Sequence, residues 1–97
     1  MKAVFIAYDQ AHQENVMEVL SRMNIKGYTM FEQVMGAGTN TGDPHLGSHA
    51  WPTMNSSILT MVPDERVDTL LERLHDLDVN NEMLGLRAFV WNVERDI

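Results

Sequence analysis

Hydrophobic and polar positions along the chain follow two periods in alternation. Residues 2–8, KAVFIAY, form a short β-branched and aromatic run of the kind that makes a buried strand. Asp9 then reads as an N-cap. Behind it, Val16, Leu20 and Met23 recur at helical spacing while Glu14, Glu18 and Arg22 share another face, so residues 10–23 are expected to be a helix ended by Asn24 and Gly27. YTMFEQVM at 28–35 and SSILTMV at 56–62 read as a second and a third strand. Pro63 and Asp64 open a second helix with a stripe of Val67, Leu70, Leu71, Leu74 and Leu77, and LRAFVWNV at 86–93 closes the pattern as a fourth strand.

The order β-α-β-β-α-β is the split βαβ arrangement, an α+β, ferredoxin-like fold with two helices on one face of a four-stranded antiparallel sheet. At 97 residues the chain is read as a single domain over 1–97, without repeat or linker. A sheet covered on one side only should alternate apolar and polar residues. Here Val4, Ile6 and Tyr8 oppose Ala3, Phe5 and Ala7, and Leu86, Ala88 and Val90 oppose Phe89, Trp91 and Val93. Two helices cover one face, so the other is expected to pack against further copies of the chain.

Seven basic against fourteen acidic residues leave a net charge of −7, which repels phosphate backbones and anionic lipid heads. Nucleic acid and direct membrane insertion are therefore excluded as expectations. The cysteine count is zero and the apolar run at the N-terminus stops at Asp9, which fits a cytoplasmic protein read as soluble and unprocessed. The eight methionines are scattered; Met17, Met23, Met30, Met35 and Met61 read as packing. His12 and His75 fall on the polar faces of the expected helices and receive no role.

One stretch departs from this pattern. The connection over 36–55 is far longer than a hairpin needs, and GTNTGDPHLGSHAWPTMN within it has no lysine or arginine. Pro44 and Pro52 stiffen it, while Leu46 and Trp51 are apolar anchors suited to docking on a partner. Asp43, His45 and His49 are its ionisable side chains. A helical turn around Leu46 would put the histidines on one face, giving a candidate divalent transition-metal site.

The element order at this length, the Gly36-Ala37-Gly38 turn leaving the second strand and the long loop before the third resemble the PII signal-transduction superfamily. That resemblance implies a homotrimer of ferredoxin-like subunits, a long T-loop over 36–55 that docks on a transporter or an enzyme, and adenine nucleotide in clefts between subunits. Gly36, Gly38 and Arg87 are the positions it suggests for ligand binding. The chain departs from the family in three places: DVNNEMLGLR stands where typical members carry a turn of the form TGKxGDGK, no tyrosine lies between Gly36 and Asn55, and VERDI lacks a basic tail. Weak or absent ATP binding is therefore expected.

Two alternatives share the fold. A CutA-like divalent-cation tolerance protein would make the loop a metal site, and a small ferredoxin-like monooxygenase would use His45, His49, Trp51 and Asn55 near an apolar pocket. No nucleophile is paired with an evident base, so the chain is read as a non-enzyme. The sequence names neither the ligand nor the partner.

Overall fold

The computed structural model describes residues 1–34, 36–37, 44–45, 54–81 and 85–97, with only the backbone at 33–34, 36–37 and 44–45. Strand β1 (Lys2–Asp9) leads into a 3-10 turn at Gln10–His12 and helix α1 (Gln13–Arg22). The Asp9 carboxylate accepts a hydrogen bond from the Ala11 amide at 2.9 Å, so the expected cap is present but closes the 3-10 turn. Helix α1 therefore starts three residues later than the periodicity suggested. Asn24, at φ 59°, turns the chain out of the helix through the left-handed region that asparagine tolerates.

Strand β2 (Tyr28–Val34) follows, then the two-residue strands β3 (Gly36–Ala37) and β4 (Pro44–His45), then β5 (Asn55–Val62). A second 3-10 turn at Asp64–Arg66 precedes helix α2 (Val67–Val79), and β6 (Arg87–Asn92) ends the fold. The main sheet has the order β2-β5-β1-β6 with every pairing antiparallel, as the α+β, ferredoxin-like reading requires. The small β3–β4 ladder is separate from it.

Two expectations need correction here. Gly36 and Ala37 are extended and pair with His45 and Pro44, so this segment is a strand and not a turn. His45 therefore belongs to a strand, not to a helical turn around Leu46. Gly38, Asp43, Leu46, His49 and Trp51 lie outside the described residues.

The core lies between the helices and one face of the sheet. Val4, Ile6 and Tyr8 from β1 and Ile58 and Val62 from β5 meet Val16 and Leu20 of α1 and Val67, Leu70 and Leu74 of α2, all buried. Thr60 tolerates the same layer because its hydroxyl donates to the Gly27 carbonyl at 2.6 Å. The opposite face carries Phe31, Met61, Phe89 and Trp91, between 46% and 52% exposed, so the two-sided apolar pattern is real and the helices leave one side of it uncovered. Met61 belongs to that face, contrary to the reading that made it core packing. Met23 is buried and Met17 and Met30 pack against the core as expected.

Candidate functional site

The strand register gathers buried polar groups at one end of the sheet, where the long connection leaves and returns. Tyr8 pairs with Ser56, Asp9 with Asn55, and Ala7 with both Ser57 and Arg87. Asp9, Asn55, Ser56 and Ser57 are all buried, which is an unusual density of polar groups for the end of a core. The Gln10 amide donates to the Met54 carbonyl at 2.8 Å, tying the returning connection to the exit of β1. The outgoing side is closed by the Gly36–His45 and Ala37–Pro44 pairs. This polar end therefore sits at the base of the loop.

Among the described residues the hydroxyls of Tyr8 and Ser56 are buried without a partner. Burial, reinforced by the nearby Glu32 carboxylate and the Tyr28 phenol, pushes the Tyr8 phenol up to about 12, so it stays neutral at any ordinary pH. A neutral, desolvated phenol is a hydrogen-bond donor waiting for an acceptor.

Arg87 opens β6 at the same end. Its guanidinium lies 5.9 Å from the centroid of the Phe89 ring and has no carboxylate partner among the described residues, which leaves its charge free for an anion. Beside it a cavity of about 300 Å³ opens between α2 and β6, floored by Leu71, Leu74 and Leu86 and edged by His75, Asp78 and Arg87. The Asp78 carboxylate accepts a hydrogen bond from the Leu86 amide at 3.1 Å. Gly85, at φ 59°, occupies the left-handed region where a side chain would be strained. Carboxylate and glycine together fix where the turn delivers Arg87.

Of the site residues singled out from sequence, Asn55, Arg87 and the backbones of Gly36 and His45 fall among the described residues. Asn55 is buried in β5, while His45 is described by its backbone alone and His49 and Trp51 lie outside the described residues. No group of three metal-ligating side chains occurs among the described residues. Sequence reasoning missed Tyr8, Asp9 and Ser56 as site residues. Their signal was the polar start, Asn55-Ser56-Ser57, of a strand that is otherwise apolar and buried.

With this geometry in place, family comparison is decisive, because the profile of the nitrogen regulatory protein P-II matches residues 1–96. The chain belongs to the P-II family. A PII-like signaling protein from Thermus thermophilus is 25% identical, with a TM-score of 0.68 over 95% of this chain and 85% of that one. CPII from Thiomonas intermedia, a nitrogen regulatory PII-like protein solved with ADP, AMP and bicarbonate, is also 25% identical, with a TM-score of 0.71 over 97% of this chain and 88% of that one. No curated protein matches the chain. The P-II assignment favours neither the CutA-like nor the monooxygenase reading. Among the described residues no helix is long and apolar enough to cross a membrane.

Proposed function

We propose that this P-II family member senses a small ligand at the polar end of its sheet and signals by docking the 36–55 loop on a membrane transporter or an enzyme. The observation that carries the reading is the shared position of loop and polar groups. The Gly36–His45 pair and the Gln10–Met54 hydrogen bond anchor both ends of the loop beside Tyr8, Asp9, Asn55 and Ser56, with Arg87 on the neighbouring strand. A ligand bound there touches the loop's anchors directly.

The ligand class is an adenine nucleotide, since CPII, a relative at 25% identity, is bound to ADP and AMP. Arg87 is the phosphate contact, and Gly36 and Gly38 let backbone amides approach. The turn over residues 78–87 has no lysine, so phosphates gain less there than in typical PII proteins and affinity is correspondingly weak. The working assembly is a homotrimer in the cytoplasm, with the uncovered aromatic face of the sheet turned toward the threefold axis. Leu46 and Trp51 are the loop's docking contacts. Asp43, His45 and His49 are the ligands should the loop take a divalent metal, and zinc, nickel and copper titration of the wild type beside a His45→Ala, His49→Ala double variant decides that point.

Calorimetry with ADP, AMP and ATP, with and without bicarbonate, tests the sensing role. Binding of at least one nucleotide is expected, weakened about tenfold in Arg87→Ala, the size of one charge-assisted hydrogen bond. Absence of binding by all three would remove the nucleotide from the proposal.

A further inference from the structure

The outward side of the helix layer carries a groove that the sensing site does not use. It runs between α1 and α2 as an open groove of about 380 Å³, within the range of small-molecule sites. Helix α1 lines it with Asn15, Glu18, Val19 and Arg22, spaced i, i+3, i+4 and i+7 along a single stripe. Helix α2 contributes Arg73, Asp76 and Leu77, and its C-cap Asn80 continues the same spacing. Stripes that face each other between packed helices are ordinarily apolar. Here only Val19 and Leu77 are.

The two crossovers make the helices antiparallel, and Arg66, just before α2, donates to the carbonyl of Met23, just after α1. The chemistry of the groove is therefore ordered. The amides of Asn15 and Asn80 lie at the end nearest the long loop, the carboxylates of Glu18 and Asp76 in the middle, and the guanidinium groups of Arg22 and Arg73 at the far end. Arg22 is held by Glu18 at 2.7 Å. Arg73 and Asp76, by contrast, have no ion-pair partner among the described residues. They sit three positions apart on α2, about 4.5 Å along its axis.

We propose that this groove binds a free α-amino acid in its zwitterionic form, with the carboxylate on Arg73, the ammonium on Asp76 and a short polar side chain reaching the amides of Asn15 and Asn80. A lone anion would meet the carboxylates of Glu18 and Asp76, and a lone cation would meet Arg73. A ligand that carries both charges on one carbon can meet both open groups, and being neutral overall it is not repelled by a chain of net charge −7. Val19 and Leu77 give its carbon atoms an apolar floor. The groove lies on the opposite layer from the uncovered sheet face, so assembly through that face leaves it open. Asn80 and Asn81 also lead into the turn that carries Gly85 and Leu86 up to Arg87, and Asn81 donates to the Leu77 carbonyl at 2.9 Å, which links the groove to the sensing site by one short segment.

Calorimetry of the full chain with L-asparagine tests the inference, beside N-acetyl-L-asparagine, which lacks the ammonium, and the variants Arg73→Gln and Asp76→Asn. Both positions are exposed, so circular dichroism is expected to show the variants folded. Saturable binding of L-asparagine at millimolar concentration, weakened about tenfold or more by acetylation and by each substitution, is the expected result. No saturation with L-asparagine, or equal affinity in the wild type and both variants, overturns it. Nucleotide titration of the same samples reads the sensing site separately, so the two proposals fail independently.

Discussion

Tyr8 stands directly opposite Ser56 across the β1–β5 ladder, and among the described residues both hydroxyls are buried without a hydrogen-bond partner. Removing a hydroxyl that bonds to nothing costs no hydrogen bond, so Tyr8→Phe is expected to leave stability within about 1 kcal/mol of the wild type or to raise it. Chemical denaturation measures this. A larger loss would reveal a buried water between the two groups.

The same residue sets an alkaline limit. Its folded pKa is raised from 10.0 to about 12, so the contribution of the neutral phenol is fully present below pH 10 and is lost as pH rises through 12. A rise of that size corresponds to about 2 to 3 kcal/mol. The wild type should weaken over that interval and Tyr8→Phe should not; matching alkaline curves for the two proteins would refute the assignment.

Phe89 and Trp91 lie on the sheet face that the helices leave open, about half exposed, in register with Phe5 and Ala3. A charge at the centre of a dry interface is not accommodated without a partner. Phe89→Glu is therefore expected to turn a trimer into a folded monomer of 11.1 kDa, since the side chain points away from the core. Light scattering of wild type and variant reads this directly, and a wild type that is already monomeric would sink the trimer.

How much of this was legible beforehand depended on how local the cause was. The four long strands and both helices are written in period-2 and period-3.6 patterns that need only neighbouring residues, and the uncovered face followed from strands apolar on both sides. The 3-10 openings of the helices were not legible, because Asp9 and Pro63 cap a tighter turn as readily as an α-helix. Nor was the Gly36–His45 pair, which joins residues across nine positions through backbone groups that every sequence shares. Arg87 was found through the family resemblance. The acceptor role of Asp78 was missed because it bridges the turn between α2 and β6, and the polar cluster of Tyr8, Asp9 and Ser56 because it depends on strand register, which neighbouring residues do not fix.

Gly85 is expected to matter for sensing more than for folding. At φ 59° an alanine is strained by about 1 to 2 kcal/mol, and the turn can relieve that strain by shifting Leu86 off the Asp78 carboxylate. Gly85→Ala should then lower stability by no more than that amount while displacing Arg87 and weakening nucleotide binding. Unchanged ADP affinity in a destabilised Gly85→Ala protein would separate the turn from the ligand site.

The final expectation concerns the long connection as an element of function and not of stability. The four strands of the main sheet and their described pairings use residues outside 38–53. Replacing 38–53 by a short glycine-serine link should therefore keep the circular dichroism of the parent and the mass measured by light scattering. Stability should change by no more than about 1 to 2 kcal/mol, because the entropy of closing a loop grows only with the logarithm of its length. Any nucleotide affinity that survives belongs to Arg87 and the turn before it; whatever is lost belongs to Gly38 and the rest of the loop. A truncated protein that unfolds or falls apart into monomers would show that the connection holds the fold together, and would take the docking role away from it.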